Sequence, residues 1–424
     1  MKKRYFAFFM SGIMAACFFL LTACAAPFRE EPAVTEIPVT DSQADSVSPT
    51  LEAPAGITAE PTDAPKAQER KLLTGSFLQE WLCMNWTYER WCAEFEAMKE
   101  LGMDTLILQS VYDMSFDQGG GNAQDWEACR STDRYGLYPS EIKELEGSGL
   151  SSVNNGDALE YALKAAKESG MKVFIGLLAD NRWWNYGWGI PKLPAGKTDP
   201  AAESYFAAWC EYNGRLNAQM AGEIWSRYGT EYGEQIAGWY YYNEIWNMDV
   251  GCAQTDDKVY AKCIGNNINL ILNAINAVCP EKPLMLSPFY NPTLSSAEQY
   301  RAFWTDIFSA ADFRPGDIFA PQDCVGAKDV PIADLAEWIG GLKEAAETKE
   351  GMHFWVNNEN FNADLTPADV SRFIDQIEAT EPYAETHIMF SWNHYYDPLN
   401  DSSAEAYNDA LKKYLNDKKQ TEAD

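Results

Sequence analysis

Two glutamates in this 424-residue chain stand where carboxylates do chemistry. Glu244 follows an aromatic and β-branched run, residues 236–242, that reads as a strand; the surrounding stretch from Gly238 is Gly-Trp-Tyr-Tyr-Tyr-Asn-Glu-Ile-Trp-Asn. Apolar, tryptophan-rich company disfavours the ionised carboxylate, which is how a glutamate becomes a general acid near neutral pH. Glu359 follows a second apolar run, residues 353–356. A loop-edge Glu-Trp pair without chemistry is the plain alternative for Glu244 by itself; a second glutamate at a matching strand end weighs against it.

Such groups need a frame that brings them together. Short apolar runs at 72–79, 103–109, 171–178, 236–242, 284–288, 317–320, 353–356 and 386–391 alternate with amphipathic segments at 88–101, 157–169, 201–228, 256–278, 298–310, 332–348, 367–377 and 404–415. Asp157 is placed to cap the second of these helices, and Gly170 to end it. Each strand-to-strand connection is long enough for a right-handed crossover, which predicts an α/β fold, a closed (β/α)8 TIM barrel over 72–424. An open doubly wound sheet would carry a glycine-rich turn after the first strand, where this chain has Leu78-Gln79-Glu80-Trp81. Residues 110–155 read as an insertion, with Gly119 to Gly121 in a loop rather than a phosphate-binding turn.

In a barrel the functional groups gather where strands end. Those positions hold Gln79 and Trp81, Gln109, Asp180 and Arg182, Asn243 and Glu244, Tyr290 and Asn291, Gln322 and Asp323, Asn358 and Glu359, and Trp392 with Asn393 and His394. A core would not ask for a polar or aromatic group at every one, so a binding rim is expected. With strands about 4.8 Å apart and tilted roughly 36°, the barrel radius is near ~7.6 Å and strands four and seven stand about 14 Å apart. Two inward glutamates, each reaching roughly 4 Å, leave about 6 Å between carboxyls. That is close to the separation of about 5 to 5.5 Å at which one carboxylate attacks a sugar carbon while the other protonates the leaving oxygen, with retention. Trp183, Trp184, Trp188, Trp246, Tyr290 and Trp392 fall in loops or at strand ends and suit stacking on sugar rings, whereas Trp91, Trp209, Trp225 and Trp338 lie on helical patterns and read as core.

An Asn-Glu after strand four, a Glu after strand seven and a Trp after strand eight resemble the clan A retaining glycoside hydrolases. The resemblance implies Glu244 as acid/base, Glu359 as nucleophile, Asn243 as donor to the sugar 2-hydroxyl and Trp392 as the platform under the reacting ring. The opening Leu-Thr-Gly-Ser-Phe-Leu-Gln, the Ala-Pro-Gln-Asp of strand six and the Glu-Asn-Phe after strand seven also look like a family of uncharacterised exported barrels grouped near those enzymes, over residues 72–415. Clan A enzymes carry an arginine after strand two and a tyrosine after strand six that tune the nucleophile. Here those sites hold Gln109 and Gln322-Asp323, so Arg182 or Tyr290 is the expected substitute.

The N-terminus begins with Lys2, Lys3 and Arg4, continues apolar to Leu21 and reaches Leu21-Thr22-Ala23-Cys24, a lipoprotein signal peptide over 1–23 with Cys24 as the lipidated residue. Residues 24–71, rich in Pro, Thr, Ala, Ser and Glu, are too poor in aromatics to offset the entropy of ordering and read as a tether. The expectation is a monomer, lipid-anchored on the outer face of a bacterial membrane. Loss of the three cations takes the formal charge from −30 to −33, which argues against nucleic acid and for a neutral oligo- or polysaccharide. A noncatalytic carbohydrate-binding lipoprotein on the same barrel is the competing reading. The eight cysteines of the mature chain beyond Cys24 show no Cys-x-x-Cys spacing, and no bridge is assigned. His353, His387 and His394 lack a zinc-binding pattern, and no Gly-x-Ser-x-Gly elbow exists, so neither a metal nor a cofactor is expected.

Overall fold

The computed structural model describes residues 72–117, 126, 129–183, 200–247 and 258–423. The signal-peptide span 1–23, Cys24, the tether 24–71, Gly119 to Gly121, Trp184 and Trp188 lie outside the described residues.

The strands in chain order are β1 Leu73–Leu78, β2 Thr105–Leu108, β3 Tyr112–Asp117, β4 Arg130–Gly136, β5 Gly149–Leu150, β6 Lys172–Gly176, β7 Leu178–Asp180, β8 Ile236–Tyr241, β9 Leu284–Leu286, β10 Ile318–Phe319, β11 His353–Phe354, β12 Val356–Glu359 and β13 His387–Phe390. The main sheet runs β11-β10-β9-β8-β6-β2-β1-β13-β12, every pairing parallel. Its two ends, β11 and β12, are halves of one strand broken at Trp355. The first half pairs with β10 and the second with β13, so the ring meets itself. Backbone bonds seal the seam: Trp355 N–H donates to Phe319 O at 3.0 Å, Asn357 N–H to Pro321 O at 2.9 Å, and Asp323 N–H to Asn357 O at 3.0 Å. This is the expected eight-stranded α/β barrel.

Its interior is a packed layer to which each strand contributes one side chain: Phe77, Ile107, Phe174, Tyr240, Met285, Ile318 and Ile388, with Trp355 at the break. Outside lie α1 Tyr88–Glu100, α2 Ala158–Ser169, α3 Pro200–Tyr232, α4 Val259–Val278, α5 Ala297–Ala310, α6 Leu335–Ala346, α7 Val370–Thr380 and α8 Glu405–Ala423. Asp157 caps α2 by accepting from Glu160 N–H at 3.0 Å, and Gly170 ends it at φ 76°, both as the sequence implies. Ser296 and Gln299 form a reciprocal capping box at the start of α5.

Three expectations are corrected. The insertion 110–155 is not merely loop: β3, β4 and β5 join β7 in a second, four-stranded sheet. Tyr112, Met114 and Phe116 are buried while Asp113 and Ser115 are half-exposed, a two-residue alternation that marks a strand. The third barrel strand stops at Gly176 instead of continuing to Leu178. A Cβ there would sit 2.0 Å from Gln109 O, and past it Leu178 N–H turns to the Asn217 side chain at 2.9 Å while the chain pairs with β3. The seventh strand extends to Glu359 instead of stopping at Val356, which leaves this glutamate at the strand end where the sequence puts it.

Candidate active site

Alternation along β8 decides which groups look over the barrel. Tyr240 points inward, so Tyr242 and Glu244 share its side, while Tyr241 and Asn243 face the helices. Glu244 is half-buried. Its Oε1 accepts a bond from Gln322 Nε2 at 3.2 Å, and its carbonyl accepts from Trp183 Nε1 at 3.0 Å, which fixes the backbone beneath it. Burial pushes its carboxyl up to about 7, with Gln322 and the Lys328 ammonium pulling the other way.

Glu359 has the same parity on its strand, two residues beyond Asn357, whose amide reaches across to Ser287 Oγ at 3.0 Å. It is only 1% exposed. Oε2 accepts from Ala327 N–H at 2.6 Å, whereas the buried Oε1 has no hydrogen-bond partner. Burial, and then Asp323, push its carboxyl up to about 8 against the pull of the Ala327 and Gly326 amides and Lys328. Asp323 next to it accepts four N–H bonds: from Gln376 at 2.6 Å, Asn358 at 2.9 Å, Val325 at 3.2 Å and Glu359's own backbone at 3.3 Å. Four donors stabilise an anion and two neighbouring buried anions repel, so Asp323 carries the charge and Glu359 the proton. Asn358 is held in turn by His387 at 2.8 Å and Thr380 at 3.3 Å.

The remaining expected groups divide sharply. Gln322, Trp81 and His394 are half-buried at the rim. Trp81 meets His394 edge-on at 5.1 Å, and Gln79 N–H donates to His394 Nε2 at 3.2 Å. That bond makes Nε2 an acceptor, so the ring is neutral with its proton on Nδ1, in line with burial lowering its pKa to about 3. Gln79 and Gln109 are buried at the tops of β1 and β2, and Gln109 Oε1 has no partner.

Other assignments are corrected by burial. Trp392 is fully buried, with Nε1 donating to Asn408 at 3.0 Å, because the chain turns into a short helix, Trp392–Tyr395, directly after β13. It is no ring platform. Asn243 spends its amide hydrogens on Asn213 at 3.0 Å and Tyr241 at 3.2 Å, in a buried cluster of asparagines between β8, α3 and α4. Trp183 and Trp246 are buried too, Trp246 stacking on Phe289 at 4.8 Å. Arg182 is paired with Asp180 at 2.7 Å and lies 3.7 Å over the Phe116 ring, on the inserted sheet. It does not serve Glu359. Tyr290 is near Glu359 but stacks on Trp338 at 4.3 Å and donates its hydroxyl to Asp323 O at 3.0 Å.

Four half-buried rim groups escape the sequence reading: Glu80, Asp113, Tyr242 and Lys328. Burial raises the proton affinity of Glu80 and Asp113, the latter to about 7, with Glu80 adding to it. Tyr242 feels Asp113, Glu80 and Glu244, which places it among them. The inward parity of Tyr242 was legible; Asp113 was hidden with its unrecognised strand. Among the described residues no group of three or more His, Cys, Asp or Glu side chains is arranged to hold a metal, and Cys83, Cys92, Cys279 and Cys324 are free thiols.

A Bacteroides thetaiotaomicron protein described as a candidate alpha-L-fucosidase superposes with a TM-score of 0.58 at 20% identity, over 86% of this chain and 99% of its own. That likeness shows a shared fold. An alpha-L-fucosidase of the same organism (TM-score 0.40, 13% identity, 80% of this chain and 62% of that one) and a beta-glucosidase of Thermotoga maritima (0.42, 9%, 77% and 89%) are too remote to add to it. No curated protein matches the sequence. The family profile described as "Domain of unknown function (DUF4434)" matches residues 73–402, and the chain belongs to that family.

Proposed function

We propose that this protein is a glycoside hydrolase, a lipoprotein anchored through Cys24 and a tether to the outer face of a bacterial membrane, acting on an oligo- or polysaccharide. The observation that carries the reading is Glu244: half-exposed at a strand end above the barrel and poised at about 7 by burial, it can donate a proton at neutral pH. Glu359 is the partner carboxyl. In the retaining sequence its carboxylate attacks the anomeric carbon, the glycosidic C–O bond breaks, and the leaving oxygen takes the Glu244 proton. Water then adds to the anomeric carbon, its proton returns to Glu244, and Glu359 is released. Half-buried Trp81, Tyr242, Gln322 and His394 supply the aromatic faces and polar groups that a sugar requires.

Purified mature protein is to be screened on aryl β-glycosides and polysaccharides. Glu244→Gln and Glu359→Ala should each lower kcat by about 10²-fold or more; full activity in either variant refutes the assignment. A second reading, noncatalytic glycan binding on the same barrel, is favoured by the 1% exposure of Glu359, which leaves its carboxyl sealed unless substrate entry opens the site. Calorimetric binding of a glycan that is never hydrolysed would select it.

A further inference from the structure

The His394 imidazole is held from one edge only. Gln79 N–H donates to its Nε2 at 3.2 Å, so the ring proton sits on Nδ1, at the opposite edge. Among the described residues nothing accepts that proton, and Nδ1 is not sealed in the interior, so this N–H is open to solvent. The turn that carries the ring is anchored at several points. Ser391 Oγ donates to Phe77 O at 2.7 Å and accepts from His394 N–H at 3.2 Å, Trp392 N–H donates to Ser76 Oγ at 2.9 Å, and Asn400 Nδ2 donates to Asn393 O at 2.7 Å. The ring lies parallel to Phe390, within 8° and with centroids 6.1 Å apart, and Phe390 is the register partner of Glu359 on the neighbouring strand. Trp81 meets the imidazole at 61°, so the two rings form a corner on the Glu359 side of the rim. We propose that His394 is a specificity-determining residue: its Nδ1–H donates to one hydroxyl oxygen of a neutral sugar whose C–H face lies on Trp81.

This inference deepens the hydrolase reading and rests on it for the substrate class. A proton fixed on Nδ1 makes the imidazole a donor and nothing else toward a ligand, which selects an oxygen lone pair and rejects an ammonium group. The groups packed on the ring, Trp81, Phe390 and the Tyr395 phenol at 6.2 Å, carry no charge. Burial alone lowers its pKa to about 3, so it stays neutral wherever Glu244 and Glu359 titrate. A neutral donor offers no charge pairing to an acidic sugar, and the formal charge of −30 repels one. What such a donor distinguishes is the presence and placement of one hydroxyl, because a deoxy sugar leaves it unpaired once water is excluded.

The test is nitrogen-15 NMR of the full mature chain in the Glu244→Gln background, so that no glycoside is turned over. The chain has three histidines, and His394→Phe assigns the signal. The free protein should show His394 as the Nδ1–H tautomer from about pH 5 to 8; an Nε2–H or doubly protonated ring in that interval overturns the proposal. Methyl β-glycosides of glucose, galactose, mannose and xylose are then titrated in, followed by the monodeoxy analogues of whichever binds. Binding should move the Nδ1 resonance, and one deoxy analogue should bind roughly tenfold more weakly than its parent. His394→Phe should lose the same factor for the parent and cease to distinguish the two. An Nδ1 resonance that no glycoside moves, or discrimination that survives in His394→Phe, overturns the assignment. If the His394 results hold while the wild type hydrolyses no glycoside, the hydrolase reading falls and this one stands.

Discussion

Glu244 was readable because a carboxylate at the end of an aromatic strand has few structural reasons to be there; its neighbours were harder. Asn243 has the opposite parity to Tyr240 and so belongs to the helix side, where it packs against Asn213. Trp392 sits where alternation breaks down, since the Trp392–Tyr395 turn sends its indole to α8. We therefore expect Trp392→Ala to cost about 3–5 kcal/mol in denaturant unfolding, while Trp392→Phe leaves glycan affinity unchanged by calorimetry. A drop in affinity with intact stability would restore the platform role. With Glu359 needing to lose a proton held to about 8 and Glu244 needing to keep one held to about 7, the pH–rate profile should be a narrow bell peaking between those values. A plateau extending below about pH 5 would show that these two groups do not set it.

At the scale of elements, the sequence resolved what local chemistry dictates and missed what pairing dictates. The caps of α2 and the eight strand–helix repeats follow from residue type and period. The second sheet does not, because β3 is stabilised by β4 and β7, distant partners with little apolar signal of their own. The break of the seventh strand at Trp355 is set by its pairing with different neighbours before and after that residue. The helix Val325–Lys328 was invisible for the same reason, being only one turn long and held by Glu359. Gly326 is what lets it approach: an added Cβ would lie 2.2 Å from Phe361 O and 3.1 Å from Glu359 Oε2. Gly326→Ala should then destabilise the fold by about 1–3 kcal/mol and move the Glu359 carboxyl resonance, read by urea unfolding and carbon-13 NMR. Wild-type values for both would mean that this close approach is not needed.

For the whole molecule, buried acids tie stability to pH. Glu94, fully buried against Asn393 and Arg90, is pushed up to about 8 by burial and Asp397, beside Glu359 at about 8 and Glu244 at about 7. A carboxyl whose folded value lies above its unfolded one contributes stability that is complete below about pH 4.5 and is lost as pH rises through the folded value. The melting temperature should accordingly fall between about pH 5 and 8, and Glu359→Gln should flatten that fall; a rise over the same interval would contradict the assignments. The formal charge of −30 acts in the same direction, through repulsion that grows as these groups ionise. The most direct test of the central claim is the anomeric configuration of the first product, followed by proton NMR on a glycoside that the wild-type protein cleaves. Retained configuration, with turnover abolished in both Glu244→Gln and Glu359→Ala, is the predicted result. An inverted product, or undiminished turnover in either variant, would contradict it.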